Sequence, residues 1–453
     1  MKNLLAIILC SSVVSIAANY TLFDANGKKL KDEKTSTLNE NVRTGLLRQG
    51  LATPVYIKKT DRGFKYGVNL SQHLDKRSIN VAANKFADTV WVEAEKNEWI
   101  DLCIEDEFCQ MVQAPQKVSV YSVIVRDNEE VNRLVVNIAV GMKYLDLNGK
   151  KLKIGYNTFK KDYRYLDEQG ADVNEPDPER FVQYNSVYLV DKYPVTNCEF
   201  YGLMKDEMLN GAHFENGRRE RFAKMWKDRA QRMNNLCSAN DSAANSIYLY
   251  QALLYANKRS IAEGLEPFYI INKTNEKNIR IWPDSSFTIY NSELPVMNKE
   301  VLKVSINQKS NGYRLPFYDE WMFLARGEKN EYTATWGDSS ASINEVLKHA
   351  WFGDTTSAML YASKPVGMLN ANGYGLYDVF GLVDEFVLFP GQNPFKIMRD
   401  SPSCLKGGNY RVQLSLDENK MYIDPYWKSI NFGYSKVNFG FQSGGFRLVR
   451  KVK

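Results

Sequence analysis

Gly312-Tyr313-Arg314-Leu315-Pro316-Phe317-Tyr318-Asp319-Glu320-Trp321-Met322-Phe323-Leu324-Ala325-Arg326-Gly327 is the stretch around which this sequence organises itself. Tyr313 to Leu315 predicts a short strand, stopped by Pro316 because proline has no N–H to give a ladder. Asp319-Glu320 predicts a helix start, Trp321, Phe323 and Leu324 supply its packing face, and Gly327 ends it. The result is a strand-to-helix corner. Downstream, Asn372-Gly373-Tyr374-Gly375-Leu376-Tyr377-Asp378 predicts a turn feeding an apolar segment, and Lys406-Gly407-Gly408-Asn409-Tyr410 lets two backbones pass closely. Gly445-Phe446-Arg447-Leu448-Val449-Arg450 closes the chain, with Arg447 predicted to seal the domain by pairing with an acid.

Other short signatures flank these in order. Val195-Thr196-Asn197 with Phe200 comes first, then Tyr255-Ala256-Asn257, Ser260 and Glu263-Gly264-Leu265-Glu266-Pro267-Phe268-Tyr269. Trp336-Gly337-Asp338, Ala350-Trp351-Phe352 and Pro365-Val366-Gly367 follow the corner. The ordered series resembles the formylglycine-generating enzyme family, also called the sulfatase-modifying-factor family, over residues 181–453. The resemblance implies an α+β fold of the elaborated C-type-lectin-like kind, with long loops pinned by turns.

Departures from the family pattern bear on function. The resemblance implies that active members oxidise a substrate cysteine with two cysteines placed between the Gly-Gly strand and the terminal Gly-Phe-Arg, which together bind copper(I). Soft sulfur selects that ion, and neither hydroxyl nor ring replaces it. No cysteine lies between Leu405 and Lys453, and Cys404 reads as a core residue ahead of Lys406, so copper is not expected. The family's calcium-associated Gly-Asn-Val-Trp-Glu-Trp appears here as Gly381-Leu382-Val383-Asp384-Glu385-Phe386. The acid is kept, the Asn and both tryptophans are lost, and Glu385 remains a candidate calcium ligand through carboxylate and neighbouring carbonyl oxygens. Where the cysteine loop would lie, the chain carries Tyr422, Tyr426, Trp427, Phe432 and Tyr434 among small polar residues. Large rings of this kind stack on sugars or anchor proteins at low entropic cost, and equally fill a domain's own core.

The amino-terminal half has another pattern. Met1 and Lys2 precede an apolar run ending in Ser15-Ile16-Ala17-Ala18, which predicts a signal peptide over residues 1–18 and a periplasmic or secreted protein. Cys10 follows Leu9, where a lipid-modification box requires a small residue, so cleavage is expected rather than a lipid anchor. Residues 19–167 are rich in alternating and β-branched runs and predict a small β-rich domain; 168–180, acidic and punctuated by Pro176 and Pro178, predict a linker. Asp24-Ala25-Asn26-Gly27-Lys28-Lys29-Leu30-Lys31 recurs as Asp146-Leu147-Asn148-Gly149-Lys150-Lys151-Leu152-Lys153, and both Asn-Gly pairs predict hairpin tips. Export permits disulfides among the five cysteines that remain after cleavage, one of which is left over: Cys103 and Cys109 are close enough to bridge locally, Cys198 with Cys237 is one candidate for a second bridge, and the sequence does not decide the pairing.

Composition narrows the partners. The 453 residues are 44% hydrophobic and 25% charged, which is globular composition, and a net charge of +6 is too dilute for a phosphate-tracking surface. Nucleic acid is therefore not an expected partner, and no run is long enough to be a transmembrane segment. His73, His213 and His349 are too scattered for a histidine metal site. Three readings follow: an exported, non-catalytic module that binds a protein or glycan in an envelope or secreted assembly; an enzyme with different, non-copper chemistry on the same fold; and formylglycine formation by a site the motifs do not reveal. Asp378, Glu385 and Arg447 are the residues that second reading would use.

Overall fold

Asp146 to Lys150 advances four positions along one strand edge while the partner moves three, from Val187 to Tyr184. Residues Met142–Asp146 and Lys150–Ile154 are thus one interrupted strand, running antiparallel to Arg180–Tyr184 and Val187–Asp191, with one extra residue bulged out at Leu147-Asn148-Gly149. Gly149 takes φ +72° there and gives its N–H to Tyr184. The second Asn-Gly is therefore a bulge rather than the predicted hairpin tip. An inserted residue needs the same left-handed backbone that a tight turn needs, so the dipeptide alone does not distinguish them. The first copy lies between antiparallel partners, Ala18–Phe23 and Lys29–Thr35, with residues 24–28 outside the described residues.

The computed structural model describes residues 4–8, 18–23, 29–35, 43–48, 51–60, 63–68, 77–81, 90–104, 108–126, 133–154, 180–210, 231, 234–235, 241–245, 247–276, 286–290, 301–327, 343–351, 364–389, 402–408, 416–417, 420–421 and 444–452. The chain divides into two units, Met1–Val140 and Gly141–Lys453. This division precedes the expected domain end at 167, because the interrupted strand 142–154 hydrogen-bonds inside the second unit. The expected linker lies outside the described residues except for Arg180, which is already strand. No described helix is long and apolar enough to cross a membrane.

In the first unit every regular element described is a strand. Leu4–Ile8, Arg43–Arg48, Leu51–Thr60 and Gly63–Val68 form one antiparallel sheet in that order. Two three-stranded sheets, Phe108–Gln113 with Trp99–Ile104 and Arg77–Val81, and Val120–Arg126 with Arg133–Val140 and Val90–Ala94, each join one antiparallel to one parallel pair. Alternation explains them: Val92, Ile100, Leu102, Ile104, Val136, Ile138 and Val140 turn inward into one aliphatic core. Cys103 is disulfide-bonded, and the residue facing it across the ladder is Cys109.

The second unit mixes helices and sheets, as α+β composition predicts. The helices Asn197–Asn210 and Leu249–Ala262 are joined by a shared aromatic contact, Phe200 stacking on Tyr255 at 5.6 Å with Phe446 edge-on to both. Three-stranded sheets form from Tyr269–Lys273, Val301–Ile306 and Phe287–Tyr290, and from Ser403–Lys406, Asp384–Leu388 and Gly444–Gly445. A third sheet brings Val449–Val452 beside Val187–Asp191, so the chain's last strand closes on the unit's beginning. Cys198 is disulfide-bonded, whereas Cys237 and most of the basic stretch 204–233 lie outside the described residues.

Candidate functional site

The helix of the corner forms as predicted, but the expected strand Tyr313 to Leu315 is reduced to an isolated bridge at Arg314. Arg314 pairs through both backbone groups with Val449, and the helix runs Tyr318–Arg326. Gly312 is obligatory: a Cβ there would lie 2.4 Å from the Glu266 carbonyl and 2.6 Å from Ser260 Oγ. That approach lets Tyr313 donate its N–H to Ser260 Oγ at 2.8 Å while Leu315 donates to the Tyr269 hydroxyl at 2.9 Å. Glu320 reaches back to the Phe317 N–H, which fixes the helix's first turn, and clasps Arg314 at 2.6 and 2.7 Å. At the other end Asn372 donates to the Leu324 and Ala325 carbonyls and accepts from Tyr374 and Leu376, so the Asn-Gly turn caps the helix.

This corner delivers Trp321 to the strand Asp384–Leu388, all five of whose residues are buried. The Trp321 indole donates to Glu385 Oε2 at 2.7 Å. Arg447 donates from Nε to both Glu385 oxygens at 2.8 Å and from Nη2 to Oε1 at 2.6 Å. Its remaining N–H groups reach the Asp191, Lys192 and Tyr377 carbonyls, so one guanidinium ties four segments together. Arg447 is 1% exposed and Glu385 0%. The predicted sealing role of Arg447 is thus realised, with Glu385 as its acid.

Two further buried pairs surround the centre. Arg259 grips both Asp191 oxygens at 2.9 Å under the Tyr313 ring, and Leu448 donates its N–H to the same carboxylate. Desolvation pushes the Asp191 carboxyl up, against the pull of Arg259. Lys406, fully buried and facing Glu385 across the ladder, donates to the Tyr318 hydroxyl at 3.2 Å. Asp191 and Arg259 were not singled out from sequence, and neither the burial of Lys406 nor the Trp321–Glu385 bond was expected. The signal available was a polar residue inside an apolar strand, as Asp191 is after Val187-Tyr188-Leu189-Val190.

Asp378 differs from these. It is 2% exposed, takes φ +51°, and accepts one hydrogen bond, from the Gly367 N–H to Oδ2 at 2.6 Å. Its Oδ1 is buried and has no hydrogen-bond partner among the described residues. Desolvation raises its carboxyl to about 6, opposed by the Gly367 bond and the charge of Arg447. The structure therefore places Asp378 near Glu385 and Arg447, as the sequence series implied, but with both of the latter sealed from solvent.

The copper chemistry does not fit these residues. Cys404 is 7% exposed in a cluster with Tyr318, Trp321, Phe380 and Phe389, and no cysteine follows it. A second thiolate is what a soft-metal pair requires. The candidate platform residues Tyr422, Tyr426, Trp427, Phe432 and Tyr434 lie outside the described residues.

Comparison with known proteins agrees with the series of motifs. Residues 151–452 match the model of the sulfatase-modifying factor enzyme 1-like domain. The chaperone protein LppX of Paenibacillus barcinonensis is 29% identical over 192 residues, which span 40% of this chain and 64% of that protein. The chain therefore covers less than two thirds of that relative's length. Among solved structures, Treponema denticola variable protein 1 aligns at 17% identity with a TM-score of 0.40, covering 74% of this chain and 99% of that one. PvdO from Pseudomonas aeruginosa aligns at 13% identity with a TM-score of 0.37, covering 73% and 98%. With its corner, cap and closing arginine in place across the matched residues, the chain belongs to the sulfatase-modifying factor enzyme 1-like family.

Proposed function

We propose that this chain is an exported, non-catalytic member of its family that binds a protein or glycan partner in an envelope or secreted assembly. The observation that carries this reading is the closed state of the fold's polar centre. Glu385 and Arg447, at 0% and 1% exposure, spend their hydrogen bonds on each other and on Trp321 and backbone carbonyls, so neither has a polar atom to spare for a substrate. The missing sulfur pair removes the family's own chemistry. Binding then falls to the loops, and the ring-rich segment from Tyr422 to Tyr434 has the composition for it. The relative named a chaperone supports a polypeptide partner over a sugar. In this reading the family domain has the elaborated C-type-lectin-like architecture, a small β-rich domain precedes it, and the first 18 residues are a leader.

The test has three arms. Full-length protein expressed in a bacterial host is fractionated, and mass spectrometry of the exported form is expected to give Asn19 as the new amino terminus. Purified protein is then titrated against a glycan array and against an aggregating unfolded client, with Trp427→Ala expected to weaken the binding found by at least about tenfold. Stoichiometric copper(I) binding together with oxidation of a cysteine peptide would overturn the reading.

The alternative, non-copper catalysis, has one observation in its favour. A buried carboxyl lifted to about 6, with one oxygen unpartnered, is how an acid–base group is often held. Turnover of any substrate that is abolished by Asp378→Asn, while the fold stays intact, would move the assignment to this alternative.

A further inference from the structure

The loop that the family resemblance connects with calcium has the backbone for a turn but carries a buried leucine where the family pattern has an asparagine. Gly381 and Leu382 both adopt left-handed φ, +74° and +58°. Gly381 is forced, since a Cβ would fall 2.5 Å from the Trp351 carbonyl oxygen. Leucine seldom takes this conformation, whereas Asn tolerates it. Leu382 holds it by burial instead: it is 0% exposed and packs with Ala243, Val383, Trp351 and Val366. Where an oxygen ligand would sit, there is an apolar plug.

Glu385 is closed in a complementary way. Its two oxygens accept four hydrogen bonds, three from Arg447 and one from Trp321, and a carboxylate offers about four lone-pair sites. Calcium requires six to eight oxygens with anionic charge to spare. Here a guanidinium within hydrogen-bond reach already neutralises the acid, and among the described residues no group of three acidic or other ligating side chains converges. We infer that Arg447, Trp321 and Leu382 together take the place of a divalent cation at this loop, so that the domain folds and stays folded without calcium. The candidate role of Glu385 as a calcium ligand is replaced by an ion-pair lock. This is independent of which partner the protein binds.

The experiment uses the intact chain, with Tm measured in chelator and in excess calcium, and terbium luminescence excited through tryptophan. The expected result is a Tm unchanged by either condition and no terbium emission that calcium displaces. An ion held here at a hundredfold excess over its Kd would raise Tm by several degrees. Such a rise, lost in Glu385→Gln or in the milder Glu385→Asp, overturns the inference. A rise that persists in both variants places the ion elsewhere and leaves the lock standing. Terbium emission lost in Trp321→Phe overturns it without requiring the Glu385 variants to fold.

Discussion

The two units are held together by different physics. In Met1–Val140 the described core is aliphatic and strand-borne, and the ion pair Arg77–Glu98 has side chains 47% and 21% exposed. In Gly141–Lys453 the core is aromatic, with Tyr318, Trp321, Phe323, Tyr374 and Phe380, and threaded by charge pairs such as Arg447–Glu385 at 1% and 0%. Aliphatic packing accepts many sequences of suitable volume and pattern, so it leaves little trace beyond alternation. Each buried charge must find one partner with the right geometry, so it fixes residue identity at both ends. That difference is why ordered motifs stand out in the second unit, whereas the first shows mainly alternation.

The sharpest way to break the comparison is to cut one pair. Arg447→Ala strands the Glu385 charge in the core and should destabilise the second unit by about 3–5 kcal/mol, read as a drop in urea midpoint. The same protein should keep the first unit's transition unchanged. In the first unit, Ile100→Ala removes a fully buried side chain and should cost about 2–5 kcal/mol through transfer and cavity terms. A matched swap, Ile100→Val, should cost only about 1 kcal/mol, whereas Arg447→Lys, which cannot reproduce the fork, should remain severe. If both units tolerate their conservative swaps equally, the contrast fails.

Asp378 tests whether charge in the second unit is always compensated. Its folded carboxyl sits at about 6, above the 3.8 of an ordinary aspartate. The folded state therefore holds the proton more tightly than the unfolded chain, and ionisation works against folding. The sign is that stability contributed by this group is full below about pH 4 and declines as pH rises through 6. Asp378→Asn removes the penalty and places a residue that tolerates left-handed backbone at φ +51°. The variant should be more stable by on the order of 2 kcal/mol at pH 7.5, with the advantage vanishing near pH 4. Thermal midpoints of both proteins across that range provide the check; a constant offset would mean that the gain is backbone strain alone.

What the sequence allowed to be read follows the same division. Gly327 and Arg447 were legible because helix end and seal are duties their residue types announce, whereas the close approach at Gly312 and the helix cap made by Asn372 were not, the latter having been read only as a turn. The partners Asp191 and Arg259, 68 residues apart, were not, because nothing local in either segment signals the other. The first unit's strands were legible from alternation, but their pairing was not: Arg77–Val81 lies parallel to Trp99–Ile104, and a two-residue period carries no direction. The Asn148-Gly149 bulge was misread for a related reason, since local backbone demand is blind to which strand comes alongside.

Two glycines give the finest version of the comparison, because they separate conformational cost from crowding within one unit. Gly149 has φ +72°, and a methyl added there would have nothing within 4 Å, so Gly149→Ala meets only the left-handed penalty. That should cost about 1 kcal/mol, with the bulge retained. Gly381 has nearly the same φ, +74°, but a methyl there would lie 2.5 Å from the Trp351 carbonyl oxygen, where no side chain can swing aside. Gly381→Ala must therefore shift the Trp351 backbone, which pairs with Gly381 in an isolated parallel bridge, as well as bear the conformational cost, and should lose several times more stability than Gly149→Ala. Urea midpoints for the pair isolate the difference. Equal losses would show that the loop around Trp351 yields easily and that the polar centre, not the backbone contact, keeps the second unit closed.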